Sequence, residues 1–499
     1  MTAITTEKFR QHNAGQFYES FTEAAATTYY LFIGKATPYT TATTGGSEGS
    51  PPTPTDGPGE EFYAWDDMIA GKKITSSFVS YVISRRNWTN GTVYDQYHHN
   101  VNSSNAATSG ATNIYDSTFY FMTTNLRVYK VLDNNGGTAY SGSAPTSEST
   151  LPFELGGYVL QYMYSINTSD SDKYLSTDFI PVSTDSTISD AATDGIISSL
   201  KITAGTNYTN GTYYAAVYGD GTSAGTSSGA IVRITIANGA IVSFGLTAGT
   251  DTTIHAGGAG YTYGTVNLAS GYTFSDVTLA TASAIGGSGG SVEVIISPKG
   301  GHGSDAVKEL GGHYVMMNVN LITAEGDDIS TANDFRRVGL VIDPYNYGTT
   351  TVATASTFRQ TYALKLTSIS GTFVVDEKIS QETTGAIGKV VEWDSSSRKI
   401  LYYQQERFGD YGTNGTTGAY VAFSAANRVT GSTSDAYGTP DAAADSAVTL
   451  AGGQTITFTD GYANPELKAD SGNIIYIDNR ISISRAADQT EDIKLIIEF

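Results

Sequence analysis

Residues 156–166 read GGYVLQYMYSI, and this stretch decides the fold class. Its two glycines mark a turn, and the residues after them alternate in type. Tyr158, Leu160, Tyr162, Tyr164 and Ile166 share one face of a strand, and Val159, Gln161, Met163 and Ser165 share the other. The tyrosine-rich face is the expected core face. The same aromatic and β-branched texture recurs upstream in TFYFMT (Thr118–Thr123) and LRVYKVLD (Leu126–Asp133), with DNNGG as a turn. These segments predict a β domain over residues 94–194.

Outward from this core the pattern changes several times. Thr5–Phe21 predicts a helix capped by Thr5 or Thr6, with Phe9, Phe17, Tyr18 and Phe21 as an apolar stripe. Gly15 costs that helix about 1 kcal/mol relative to Ala. TYYLFIGK (Thr28–Lys35) predicts a buried strand, and the Thr/Gly/Pro-rich stretch from Thr37 to Glu60 a loop. A second helix is expected near Phe62–Ala70, followed by a strand in FVSYVISRRNW ending at Trp88. Between Asp194 and Gly303 the composition shifts to Gly, Ser, Thr and Ala. GIISSLKITAGT at Gly195 returns as GAIVSFGLTAGT at Gly239, 44 residues later, which suggests a small β module repeated twice. Gly311–Ala324 and Phe335–Ile342 read as core strands, and Leu364–Phe408 as a further β segment. Ile493–Phe499 reads as a closing apolar strand, docked rather than frayed.

Composition narrows the function classes. A chain of 499 residues allows roughly three domains. Its net charge of −21 does not supply the positive field that phosphate backbones attract, so nucleic acid is not an expected partner. With no cysteine there is no disulfide framework, thiolate metal site or cysteine nucleophile. No apolar run is long enough to span a membrane, and MTAITTEKFRQ lacks the features of a signal peptide.

Candidate chemistry is sparse. Four G-x-S-x-G matches (Gly45–Gly49, Gly221–Gly225, Gly225–Gly229, Gly286–Gly290) sit in Gly/Ser-rich stretches with no helix following, unlike a nucleophile elbow. On a strand, the adjacent His98 and His99 would face opposite sides and could not share a metal. His302 and His313, with Asp305 and Glu309 between them, read either as a metal site needing loop closure or as hydrogen-bonded loop histidines. Asp66-Asp67, Asp170 with Asp172, and Asp376-Glu377 are the nearest approaches to carboxylate pairs, and solvated surface charge is the reading favoured for each. No cofactor is expected. The 34 tyrosines serve either as strand and interface residues or as sugar-stacking platforms. Arg85-Arg86 followed by Trp88 reads either as an interface anchor or as a buried Trp flanked by solvated arginines.

The ends of the chain resemble the homodimeric baseplate wedge protein family of T-even-like contractile-tailed phages. The resemblance runs through TEKFR (Thr6–Arg10), FYES (Phe17–Ser20), FIGK (Phe32–Lys35), Trp65, Met68, Lys73 and VISRRNW (Val82–Trp88). It continues, more loosely, in VYKVLD (Val128–Asp133), GGYVLQYMYSI and NDFRRVGLVIDP (Asn333–Pro344). IIYIDNR (Ile474–Arg480) and ADQTEDIKL (Ala487–Leu495) are its closest parts. These pieces are collinear over roughly half of the chain.

The resemblance implies a mainly β protein with a minor α component (α+β) and no enzymatic activity. Its discontinuous body domain would comprise residues 1–93, 304–360 and 461–499. A β-sandwich-like domain would be inserted at 94–194, and the chain departs from the shorter family members by carrying further small β modules at 195–303 and 361–460. It implies a homodimer in each wedge of a virion tail baseplate, made in the host cytoplasm, bound to other wedge proteins and moving with them on contraction. Arg85, Arg86, Trp88, Asn479, Arg480, Asp488, Gln489 and Thr490 are the contact or family-motif residues it nominates. The alternative reading is a tail-associated protein that binds host glycans through the inserted segments.

Overall fold

A computed structural model describes residues 4–41, 44–221, 229–268, 271–275, 278–283, 285–322, 334–404, 421–425, 427–443, 447–449, 455–483 and 490–499. Strand accounts for 41% and helix for 12%, so the protein is mainly β with a minor α component, as expected. The chain divides into two compact units. One comprises Met1–Gln16, Ser80–Met316 and Ile496–Phe499, and the other Phe17–Val79 and Met317–Leu495.

The second unit contains a five-stranded antiparallel sheet. Its order is Thr357–Arg359, Met68–Ile74, Tyr29–Gly34, Arg337–Ile342, Asn473–Asn479. The predicted buried strand Tyr29–Gly34 lies at its centre, with every residue buried. One row across the sheet shows how the sequence sets the packing. Phe358 pairs with Gly71, Gly71 with Phe32, Phe32 with Gly339, and Gly339 with Ile477. Large rings lie over bare backbone: a Cβ on Gly71 would stand 2.2 Å from the Phe358 ring, and one on Gly339 2.3 Å from the Phe32 ring. Strand glycines are tolerated where another group approaches this closely.

The helix before the second strand spans Pro58–Asp67, not Phe62–Ala70. Proline fits the first helical turn, where its missing N–H has no intrahelical partner. Met68, Ile69 and Ala70 leave the helix because their backbone pairs with Ile33 and Gly34 of the central strand and their side chains are buried. Trp65 and Ala64 of this helix pack in one cluster with Tyr30, Phe32 and Phe358. Farther along the unit, six strands close into a barrel: Tyr362–Ser370, Lys399–Tyr403, Ala386–Asp394, Lys378–Gln381, Val429–Gly431 and Tyr437–Pro440. Leu364, Leu366, Ile379, Val390, Ile400, Tyr402 and Val429 fill its interior.

In the first unit, Tyr120–Met122, Arg127–Asp133, Tyr158–Ser165 and Phe153–Leu155 form a four-stranded sheet in that order. The expected core face of Tyr158–Ser165 is buried, but Val159, Gln161 and Met163 on its other face are buried too. The reason lies in the Gly/Thr-rich segment. Val159 and Leu132 pack against Ile197, Leu200, Val217, Val232 and Val294, while Tyr158, Leu160 and Tyr162 pack with Tyr94, Tyr129 and Tyr140. The two copies of the 44-residue repeat do not form equivalent modules. The first forms the strand Ile197–Thr203 paired with Ser291–Ile296, whereas the second holds only Ala240–Ile241 in a strand, paired with Ile231–Ala237. What they share is a glycine at positive φ within TAGT, Gly205 (62°) and Gly249 (102°). The strand expected to reach Trp88 ends at Ser84. The C-terminus is docked, with the Phe499 N–H donating to the His313 carbonyl (3.2 Å) and Arg10 meeting Glu498 (3.4 Å).

A buried ionic node holds this unit together. Lys130 Nζ lies 2.8 Å from Glu309 Oε2 and donates to His302 Nδ1 at 2.9 Å. It also sits 3.9 Å from the centre of the Tyr97 ring. The second oxygen of Glu309 accepts from the Gly303 N–H at 2.8 Å. Burial, and then the Lys130 charge, push the His302 imidazole well below its usual range, so the ring is neutral.

Three measurements check this reading. Gly339→Ala should lower stability by about 1–3 kcal/mol in denaturant unfolding, because the Phe32 ring and the Tyr476 carbonyl must shift. Lys130→Met should cost about 3–5 kcal/mol by stranding the Glu309 carboxylate, and Lys130→Met with Glu309→Leu should cost clearly less. His302 supplies a pH test. Below about pH 6.5 the unfolded chain takes up a proton that the folded site refuses, so stability is lost as pH falls. The stability gap between wild type and His302→Gln should therefore narrow by about 1 kcal/mol between about pH 7.5 and about pH 5.5. A constant gap contradicts the neutral buried ring.

Candidate assembly surface

Two adjacent arginines organise one side of the five-stranded sheet. Arg337 is buried and reaches three segments. Its Nη2 donates to Glu60 Oε1 (2.8 Å), its Nη1 lies 3.2 Å from Asp67 Oδ2, and its Nε donates to Asn479 Oδ1 (3.0 Å). The first two contacts fasten the Pro58–Asp67 helix, and the third fixes the outermost strand. Arg336 grips Glu48 through Nε (2.8 and 2.9 Å) and donates from Nη1 to the Ala36 carbonyl (2.8 Å), tying down the proline-rich loop. Asn479 completes this arrangement by donating from Nδ2 to the Pro52 carbonyl at 3.0 Å.

The strand held in this way, Asn473–Asn479, is an edge. It pairs with Arg337–Ile342 on one side, and among the described residues no strand pairs with its other side. The Arg480 N–H donates to the Arg336 carbonyl at 2.8 Å, so the chain stays against the sheet one residue beyond the strand. Ile475, Ile481 and Ile483 are exposed by 42%, 55% and 42%. Open backbone groups beside exposed isoleucines form a template for another strand.

The nominated residues fall in different units. Asn479 and Arg480 belong to this edge, whereas Arg85, Arg86 and Trp88 belong to the first unit. There Arg85 donates to the Ser176 carbonyl (2.6 Å), and Arg86 donates to the Tyr115 carbonyl (2.7 Å) with its guanidinium 4.4 Å from the Tyr120 ring centre. Trp88 packs edge-on against Tyr140, and its indole N–H is buried without a partner among the described residues. Asp488 and Gln489 lie outside the described residues. Thr490 opens the strand Thr490–Glu498.

The other candidates have structural partners. His98 and His99 do not face opposite sides, because they lie outside any strand and their rings stack 5.0 Å apart. His98 approaches Glu293 (3.1 Å), and His99 accepts from the Ile296 N–H (3.2 Å). His302 joins the Lys130 node, and His313 meets Glu7 at 2.6 Å. Among the described residues no group of three or more His, Cys, Asp or Glu side chains could hold a metal ion.

The carboxylate pairs are divided in the same way. Asp67 faces Arg337, Asp376 faces Lys389 (3.2 Å), and Asp170 hydrogen-bonds Asn167. Glu377 accepts from the Val374, Thr433 and Ser434 backbone N–H groups and from the Ser434 hydroxyl. Burial raises its carboxyl pKa, but these bonds together outweigh burial and hold it below its usual range. Gly45–Gly49 lies in a turn and Gly286–Gly290 begins in the short strand Gly286–Ser288, with no helix directly following either, while most of Gly221–Gly229 is outside the described residues. No described helix is long and apolar enough to cross a membrane.

Arg336 and Arg337 were visible in the sequence only as part of the looser motif NDFRRVGLVIDP. A second double arginine in a chain this acidic was the available signal, and the acidic residues 48, 60 and 67 were its available counterparts. No curated protein matches the chain. A family model described as bacteriophage T4, Gp8 matches residues 3–145, a span that takes in Arg85, Arg86 and Trp88 and leaves the edge strand outside. Over those residues the chain is similar to the Gp8 family, which in bacteriophage T4 supplies a baseplate wedge protein.

Proposed function

We propose that this chain is a structural subunit of a contractile phage tail baseplate, present as a homodimer in each wedge, and that it ties neighbouring wedge proteins together and moves with them on contraction. Similarity to the bacteriophage T4 Gp8 family over residues 3–145 carries this reading and supports a structural role in the virion baseplate. The physical character of the units supports it. Each has several cores and buried ion pairs, and both Lys130–Glu309 and Arg337–Asp67 resist separation because either partner alone would be a stranded charge. Arg85, Arg86 and Trp88 serve within their unit, bracing the chain where it leaves the Val79–Ser84 strand. Adhesion, not turnover, is the task.

A subordinate reading has one observation in its favour. Tyr218 and Tyr263 are exposed in the Gly/Thr-rich segment, Tyr263 by 61%, and exposed tyrosines suit sugar stacking. A glycan array probed with the full chain should then show signals that Tyr218→Ala with Tyr263→Ala removes. Uniformly blank spots leave this reading without support.

The main reading is tested by sedimentation of the purified protein. A stable species of twice the 52.7 kDa chain mass is expected to persist on dilution into the micromolar range. A monomer there contradicts the dimer.

A further inference from the structure

The segment 475–483, which continues the edge strand four residues beyond its end, is matched about Asn479: Asp478 is balanced by the opposite charge of Arg480, Ile477 by Ile481 and Ile475 by Ile483, while Tyr476 stands opposite Ser482. This symmetry has consequences only for antiparallel pairing with an identical strand, where residues equidistant from the centre stand opposite each other.

The backbone has the matching phase. The Arg480 N–H donates inward to Arg336, and Asn479 is in register with Arg337. In an antiparallel ladder the backbone groups of successive residues point alternately to the two sides, so those of Asn479, and of Ile477 and Ile481 around it, point away from the sheet. A two-fold axis at Asn479 therefore places outward-facing backbone opposite outward-facing backbone. A centre shifted by one residue would instead oppose groups already bonded within the sheet.

The side chains complete the match. Among the described residues neither Asp478 nor Arg480 has an ion-pair partner, although both flank the centre. Natural edges are commonly protected by like charges or proline. This one carries opposite charges at positions that attract an identical strand, beside isoleucines left exposed. The irregularity between Leu340 and Val341 falls at Ile475, at the far end of the match, and leaves 477–479 in regular register, with the Arg480 N–H continuing it to the Arg336 carbonyl.

We propose that two copies of this chain join edge to edge along residues 475–483, forming one continuous sheet about a two-fold axis at Asn479. Asp478 then faces Arg480 of the partner subunit, and Ile477 faces the partner's Ile481, each contact occurring twice. This rests on the homodimer reading and gives it a surface.

Charge reversal and cross-linking test the register. Asp478→Arg should weaken the dimer about tenfold or more in sedimentation, since it sets like charges opposite each other twice, and adding Arg480→Asp should restore it. Because the chain has no cysteine, introduced pairs are unambiguous. Ile477→Cys with Ile481→Cys should oxidise to a covalent dimer, whereas neither single variant should, because each cysteine would then stand several residues from its counterpart. A wild-type dimer that neither reversal weakens nor the cysteine pair captures overturns this inference alone. It would assign the edge to another protein or to another part of the chain. A wild-type monomer overturns both this inference and the homodimer reading.

Discussion

Arg337 is the interaction on which the second unit depends. Its guanidinium is buried and fixed by the Glu60 and Asp67 carboxylates and the Asn479 amide. A planar fork with several donors can hold three segments in one geometry, which a lysine could not reproduce. Through it the Pro58–Asp67 helix, the Arg337–Ile342 strand and the outermost strand share one register. The Phe358–Gly71–Phe32–Gly339–Ile477 row aligns the same strands through their side chains. Polar and apolar constraints thus agree on a single arrangement, as expected of a sequence that specifies one structure.

The first unit solves a similar problem with a different device. Its four-stranded sheet is covered on both faces, which requires the glycine-rich residues after 195 to supply Ile197, Leu200, Val232 and Val294 as a second layer. Beside this packing lies the Lys130–Glu309–His302 node, where one lysine answers a carboxylate, an imidazole and an aromatic ring. Such a node is costly to break by removal of one partner alone.

Local patterns were the legible part of the sequence. The alternation in GGYVLQYMYSI and the apolar run in TYYLFIGK each acted over a few residues, and each gave the right element. Burial of Val159 was not legible, because it depends on packing against a segment more than thirty residues away whose composition does not say which face it covers. The 44-residue repeat misled because similar strings met different neighbours, and strand pairing is decided by partners. Of the candidate surface, Asn479 and Arg480 could be nominated. The arginine clamp beneath them could not, since its acidic counterparts are scattered from Glu48 to Asp67. His98 and His99 show the limit of a periodicity argument, which fails once the residues leave the strand it assumes.

The central claim is that this chain is a stoichiometric part of a tail baseplate. Quantitative mass spectrometry of intact tails purified from the phage that encodes it tests this most directly. The account predicts about two copies for each wedge, as a symmetric dimer requires. Absence of the chain from intact tails would contradict it.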